Sequence, residues 1–455
     1  MRIALGIPLS FSDLIKHGEA FSKDSYNGLI THITTDSREA SEGDLFFSFA
    51  SDRESGEEHI KEAHKKGAKS VSSFSKSASF LVSDTEKALL SLASFYKSKL
   101  KHLKAIVAIT GSVGKTTTKE FCASFFSASY KTHKTYMNYN NTLGVSLSLL
   151  SAPQDTEILV LELGMNALGE IKELSEAVKP DYAVITNIGN AHVGKLGSLQ
   201  LIAEAKLEIA KGMTEERIIA PKEEALLSKA KYKFSLADKN SDYYLCKTND
   251  TESFAFYHNS KKLIDFNTDY KTSHHLKALL IALALSNLLG FNNEQMLDGI
   301  KNCSSVKLRQ KLIDFKHFSV FDDTYSSSPE AVRADIEYLK LEYPKRRFSV
   351  ALGDMLELGH KTEELHKQIG KLAYAEGARK LYAFGAYAYL IRDGAKEAGM
   401  KENDITASTE LDDYPIIAKE IYQNSEHSEI VLVKASHALL SGKIIEEIER
   451  LDKEC

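Results

Sequence analysis

Apolar and polar positions along this chain fall into three successive blocks, each mixing short strand-like runs with helical periodicity. In the first, which ends near residue 103, the strand-like runs are GDLFFSFA (43–50) and KSVSSF (69–74). A helical pattern lies between them at 57–67. The block closes with an amphipathic helix over about 85–100, with Leu89, Leu90, Leu92, Ala93 and Tyr96 on one side. The second block opens abruptly on AIVAIT (105–110), a run apolar enough for a strand buried on both faces. EILVLEL (157–163) and DYAVITN (181–187) are further runs of this kind, with helical patterns between them. This alternation predicts a parallel sheet with crossover helices. YYLCKT, SFAFYHN and KKLIDFN, within 242–270, read instead as antiparallel strands added to that sheet, followed by an apolar helix near 276–290. In the third block HFSVFDD (317–323), RFSVAL (347–352), KLYAF (380–384) and EIVLVK (429–434) each precede a helical pattern, which predicts a second doubly wound unit. The fold class is therefore α/β in three domains, expected at 1–103, 104–304 and 305–455: an N-terminal α/β domain, a central parallel-sheet domain and a C-terminal Rossmann-like domain.

Length and composition agree. At 455 residues, 43% hydrophobic and 27% charged, the chain can bury several cores, and disorder is not expected. The net charge of −5, from 58 basic and 63 acidic side chains, gives no global attraction to nucleic acid or to an anionic membrane. The N-terminal MRIALGIPLSFSDL has an apolar run interrupted by Pro8 and reads as a first strand or loop rather than a signal peptide. The most apolar stretch, 278–291, is too short to span a bilayer, so no membrane insertion is expected. Cys122, Cys246, Cys303 and Cys455 are widely separated, which argues against a disulfide framework or a zinc site and for a reducing, cytoplasmic setting. Cys455 is expected to be a free thiol.

The strongest chemical signal is Gly111-Ser112-Val113-Gly114-Lys115-Thr116-Thr117, between the buried run 105–110 and a helix with Phe121, Phe125 and Phe126 on one face. Glycines let backbone N–H groups approach a phosphate, and the helix N-terminus adds its positive end. Lys115 would reach the terminal phosphates and Thr116 would offer its hydroxyl to Mg²⁺. Ile109 stands where the commonest form of this loop has its first glycine, so the match is to the shorter T-G-x-x-G-K-T. By itself the loop implies only a nucleoside triphosphate.

Two later strand-like runs carry polar groups at their C-terminal ends, the side of an open α/β sheet where ligands bind. They supply Glu162 and, in Ile188-Gly189-Asn190-Ala191-His192, His192. Singly, each has a plainer reading, as a strand-edge acid or a hydrogen-bonded loop histidine. Beside a phosphate loop, a carboxylate and an imidazole could bind Mg²⁺. Lys206, within SLQLIAEAKLEIAKGM, reads from its spacing as a solvated helix lysine.

Taken together these segments resemble the Mur ligase family, most closely the type that adds D-alanyl-D-alanine (MurF). The similar stretches are TDSREASEGDLFFSFA, RESGEEHIKEAHKKGA, ITGSVGKTTTKE, NYNNTLGVSLSLL, LELGMNALGEI, TNIGNAHVGKLGSLQLIAEAKLEI, LGDMLELGHKTEELHKQIG and VLVKASH, which run through nearly the whole chain. The most MurF-like is Gly353–Gly359. The resemblance implies an ATP-dependent ligase, with Mg²⁺, that joins D-alanyl-D-alanine to UDP-N-acetylmuramoyl-tripeptide through an acyl phosphate, as a monomer. It implies that the N-terminal domain holds the uridine nucleotide and that Asp36, Ser37 and Arg38 face its diphosphate. It also implies that Asn140, Asn141 and Thr142 meet substrate, and that Lys206 matches a lysine carbamoylated in the family, whose anionic form joins Glu162 and His192 around the metal. Arg309, Asp323 and Tyr325 resemble residues that close onto the nucleotide, with Lys434 and Ser436 as weaker candidates.

Two segments depart from the family pattern. Tyr325-Ser326-Ser327-Ser328-Pro329 replaces Tyr-Asn-x-Asn-Pro, and His274-His275-Leu276-Lys277-Ala278 replaces His-Asn-x-x-Asn. Both are expected on the adenine side, away from the phosphate and metal groups. Other readings stay open at this point: a related amide ligase of the folylpolyglutamate type or another Mur step, a nucleotide-binding relative without turnover, and a phosphate-loop motor or switch. Gly353–Gly359 and the TDSR segment favour the D-alanyl-D-alanine-adding type.

Overall fold

The computed structural model describes residues 1–22, 25–49, 53–248, 252–303, 311–324, 327–436 and 441–454. Among them are three sheets, one for each block of the sequence.

The first sheet orders β1 (Arg2–Ser10), β2 (Leu29–Thr34), β3 (Leu45–Phe47), β4 (Lys69–Ser72) and β5 (Phe80–Leu81) consecutively, β1 antiparallel and the rest parallel. The helix Thr85–Ser98 buries Leu89, Leu90, Leu92, Ala93 and Tyr96, the face its periodicity predicts. Asp84 caps it, accepting from the Lys87 N–H. Tyr96 ties this sheet to the next. Its hydroxyl donates to the Ala152 carbonyl at 2.6 Å and accepts from the Ile7 N–H at 2.8 Å. A Cβ at the adjacent Gly6 would lie 2.2 Å from the Ala152 oxygen, so this close approach requires glycine.

The central sheet contains β6 (Ala105–Thr110), β7 (Thr132–Lys134), β8 (Ile158–Glu162), β9 (Tyr182–Ile185), β10 (Ile218–Pro221), β11 (Tyr232–Ser235), β12 (Tyr243–Lys247), β13 (Ser253–His258) and β14 (Lys261–Asn267). Its spatial order is β14-β13-β12-β11-β10-β9-β6-β8-β7. The strands from β7 to β12 pair in parallel, so YYLCKT (β12), expected among the antiparallel strands, joins β11 in parallel, and β13 and β14 make the antiparallel extension. Strand β6 lies between β8 and β9, so its C-terminal end opens onto the ends of both. On one face Phe121, Phe125 and Phe126 of the helix Lys115–Ser127 pack with the helix Ser273–Leu288, which is apolar nearly all round and correspondingly buried.

The third sheet orders β15 (Lys311–Asp314), β16 (Ser319–Asp322), β20 (Ile430–Lys434), β17 (Phe348–Gly353), β18 (Leu381–Phe384) and β19 (Ile405–Ser408). All pairings are parallel except β15 with β16. Runs buried on both faces were legible in sequence; β2, β5, β7, β10, β11, β15 and β19 were not. All but β2 are four residues or fewer, and several are only partly buried. Cys122, Cys246 and Cys303 are free thiols. Arg309, Tyr325, Ser326 and Cys455 lie outside the described residues. Among those described, no helix is long and apolar enough to cross a membrane.

Candidate active site

The C-terminal ends of β6, β8 and β9 open into a cavity of about 740 Å³, whose far side is formed by the third sheet. Strand β6 ends at Thr110, and Gly111–Gly114 turn the chain into the helix Lys115–Ser127. Gly111 has φ +149° and Gly114 φ +83°. A Cβ on Gly111 would lie 1.9 Å from the Thr186 hydroxyl, so this turn cannot carry a side chain there. The loop is held by the segment after β9. Asn187 Oδ1 accepts from the N–H groups of Ser112 (3.0 Å) and Val113 (2.9 Å). Thr186 donates to the Val113 carbonyl at 2.6 Å, and the Gly189 N–H donates to Ser112 Oγ at 2.8 Å. No side chain caps the helix at Gly114, so its first-turn N–H groups remain available to an anion. Lys115 Nζ lies back on the Gly111 carbonyl at 2.8 Å, within the cavity.

Glu162, at the end of β8, is buried at 1% exposure. Oε2 accepts from the Thr116 hydroxyl at 2.8 Å and Oε1 from Asn140 Nδ2 at 2.7 Å. Behind it lies Lys119, wholly buried, whose ammonium donates to the Thr135 carbonyl at 2.9 Å and to the Met137 carbonyl, and sits 3.9 Å from Glu162. Asn141 also lines the cavity and caps the helix Thr142–Leu150, its Oδ1 accepting from the Gly144 N–H at 2.9 Å. Thr142 opens that helix and is not among the residues lining the cavity.

Lys206 overturns the reading taken from its spacing. It is 2% exposed and lines the cavity. Burial, with the Lys115 charge second, pushes its amine well below the ordinary lysine range. His192, with φ +67°, lies in the same cavity. Burial and then Lys115 lower its pKa, against the pull of Glu357, which favours the neutral imidazole a metal needs.

From the third sheet come Asp323, just after β16, and Lys434, the last residue of β20. The Lys434 ammonium is paired with Asp323 and, at 2.8 Å, with Asp335, which is 2% exposed. Ser436 Oγ accepts from the Leu356 N–H at 3.1 Å. The placement of His274 corrects the expectation that its segment stays clear of the phosphate end. Its Nε2 is 3.1 Å from the Thr117 hydroxyl, and its ring would lie 3.2 Å from a Cβ on Gly114. Ala278, from the same segment, is packed in the core.

Asp36, Ser37 and Arg38 lie outside this cavity, on the first sheet. Asp36 accepts from the Arg38 guanidinium at 2.7 Å, which holds its carboxyl well below the usual range. Ser37 is buried and donates to Glu62 at 2.5 Å. Reading the residues singly missed Asn187, Lys119, Asp335 and Glu357. Lys119 carried a signal in the Thr-Lys-Glu that trails the phosphate loop, and Asn187 and Glu357 lay in stretches that carry the resemblance without being singled out; Asp335 carried none.

This architecture is shared with proteins of known type. Residues 109–286 match the Mur ligase middle domain, and residues 308–437 match the Mur ligase, glutamate ligase domain. The UDP-N-acetylmuramoyl-tripeptide–D-alanyl-D-alanine ligase of Bacillus subtilis is 31% identical over 441 residues, 93% of this chain and 94% of that one. The chain belongs to the Mur ligase family. Among solved structures, MurF from Acinetobacter baumannii superposes with a TM-score of 0.84 at 25% identity, covering 98% of this chain and all of that one. MurF from Thermotoga maritima in complex with ADP gives 0.76 at 28% identity, covering 93% and 98%. For this Mur ligase, the cavity coincides with the part of the chain that carries the middle-domain match, closed by the part that carries the glutamate ligase match.

Proposed function

We propose that this Mur ligase joins D-alanyl-D-alanine to UDP-N-acetylmuramoyl-tripeptide, consuming ATP and giving the pentapeptide precursor of the cell wall, ADP and phosphate. The carrying observation is one cavity that holds the phosphate loop, Glu162, His192 and Lys206 together with Asp323 and Lys434 of the third sheet. Its full-length likeness to relatives that bear this activity in their names supports the same reading.

A carboxylate is a poor electrophile and must be activated before an amine can displace an oxygen from it. On this reading a carboxylate oxygen of the tripeptide attacks the γ-phosphorus of ATP, and ADP departs. The dipeptide amine then attacks the acyl carbon, and phosphate leaves as the amide forms. Loop and helix N–H groups, with Lys115 swung off the Gly111 carbonyl, would hold the phosphate oxygens.

The side chains suit magnesium, which favours oxygen ligands and keeps few protein contacts beside phosphates. Thr116 and Glu162 offer adjacent oxygens, and His192 a neutral nitrogen. Among the described residues no three His, Cys, Asp or Glu side chains form a ready cage, so the set lacks a further anion. Lys206 can supply it: burial disfavours its charged form, the neutral amine is the form that adds CO₂, and the carbamate is an anionic oxygen donor. Bound there, Mg²⁺ would neutralise charge on the transferring phosphoryl group. The third sheet would exclude water, which would otherwise hydrolyse the acyl phosphate. Asp36, Ser37 and Arg38 would meet the uridine diphosphate on the first sheet. On this reading the ligase acts as a monomer.

Phosphate release measured with each substrate omitted in turn tests this. Release is expected only with ATP, the tripeptide nucleotide and the dipeptide together. Full-rate release without the dipeptide would overturn it.

A further inference from the structure

The segment that carries His192 is gripped by the C-terminal part of the chain at four residues. Asn190 donates to Glu330 Oε1 at 3.1 Å and accepts from Lys361 Nζ at 3.3 Å. His192 Nδ1 meets Glu357 Oε2 at 2.6 Å. The Gly194 N–H donates to the Glu357 carbonyl at 2.7 Å. The other Glu357 oxygen pairs with Lys195 at 2.6 Å, so one side chain bridges two residues of the loop.

Two independent features mark this contact as built. The first is backbone conformation. His192 (φ +67°) and Glu357 (φ +64°) are both non-glycine residues in the left-handed region, and they face each other. Such a backbone conformation is strained for a residue with a side chain and persists only where its surroundings hold it. The second is the closeness of the two backbones. A Cβ at Gly194 would lie 2.4 Å from the Gly359 nitrogen and 2.6 Å from the Glu357 oxygen. No side chain fits between the two segments.

The tautomer follows from the geometry. An ionised carboxylate only accepts, so His192 Nδ1 carries the proton and donates it to Glu357. Nε2 then holds the lone pair. A carboxylate on one ring nitrogen fixes the ring and raises the basicity of the other, which is how metal-ligating histidines are oriented. Here the orienting carboxylate comes from the segment after β17 of the third sheet, and the histidine from the central sheet.

We infer that Glu357 is a positioning residue for the central site, fixing the His192 ring through Nδ1 and making metal-binding geometry conditional on docking of the third sheet. This rests on the reading of His192 as a magnesium ligand. Its consequence is an ordering: Nε2 is presented in its ligating tautomer only once the cavity is covered, so phosphoryl transfer is tied to exclusion of water.

The test uses the full-length chain with ATP. Mn²⁺ serves as the probe metal, its binding followed by electron paramagnetic resonance, alongside Mg²⁺ titrations of ligation. Glu357→Ala is expected to weaken Mn²⁺ binding and raise the Mg²⁺ needed for half-maximal rate by about tenfold or more, within the range for outer-shell partners. The KM for the uridine nucleotide should stay unchanged. Glu357→Gln keeps an acceptor for Nδ1–H and should recover most of the loss. Gly194→Ala leaves both side chains in place but wedges the backbones apart, and should reproduce the Glu357→Ala defect. Unchanged Mn²⁺ affinity and Mg²⁺ dependence in both Glu357→Ala and Gly194→Ala would overturn the inference. A wild-type chain that binds Mn²⁺–ATP yet ligates nothing would instead overturn the proposed reaction, leaving the Mn²⁺ comparison to judge Glu357.

Discussion

On the central wall of the cavity, Glu162 is held by the Thr116 hydroxyl and the Asn140 amide, and the phosphate loop by Thr186, Asn187 and Gly189. On the facing wall, Lys434 of the third sheet sits between Asp323, just after β16, and Asp335 of the helix Pro329–Glu342. The direct partners of Glu162 are neutral donors, and the Lys119 ammonium 3.9 Å behind it is also paired with Glu120 at 3.1 Å, so neutralising Glu162 leaves no charge stranded. A buried ammonium depends on its carboxylates, because removing one partner strands an uncompensated charge. Burial pushes the Asp335 carboxyl above the usual carboxylate range, and the Lys434 charge only partly offsets this. The two walls should therefore fail differently: the central one loses chemistry, and the other loses stability as well.

Glu162→Gln sharpens that contrast most. It is nearly isosteric and keeps an acceptor, so the melting temperature should hardly move. The rate of phosphate release should fall by at least about 10²–10³-fold, the scale for losing one group that stabilises a transition state. Loss of both activity and fold would break the contrast. Lys434→Met removes the cation from the other wall and should destabilise the chain by roughly 3–5 kcal/mol in denaturant unfolding. An unfolding midpoint equal to wild type would mean that the Lys434 cluster does not hold this wall. The last test bears on pH and concerns His275, 3% exposed among Phe121, Tyr270 and Tyr338. Burial, then His274, lowers its pKa to about 3. The unfolded chain therefore binds a proton that the folded chain refuses. Stability from this group is full above about pH 6.5 and falls as pH drops towards 3, by roughly 1.4 kcal/mol per unit. His275→Phe should flatten that part of the pH–stability curve, and an unchanged slope would show that the proton is taken up elsewhere.

Much of the central wall was legible in sequence because its parts are local. Strand β6, the turn at Gly111–Gly114 and the helix after it are contiguous, and the turn is a position that only glycine fills without collision. Glu162 and His192 could be placed because strand ends share one edge of a parallel sheet. Lys206 was misread from its spacing: a helix pattern gives a face, not what covers that face. That His274 reaches the phosphate loop was missed for a related reason. It opens the helix Ser273–Leu288, and only the packing of that helix against Lys115–Ser127 brings it to Thr117.

The division follows from range. Residue order alone set the periodicities, the three blocks, the glycine turn and the residue types needed to hold a phosphate. Each depends on backbone sterics or on neighbours within a few positions. Only the folded chain decided that Lys206 is buried beside Lys115, that Lys119 lies behind Glu162, and that Glu357 reaches His192 across 165 positions. Burial sets the charge state of an amine, and a hydrogen bond sets the tautomer of a ring. Both depend on which distant segments pack together, which no local pattern specifies.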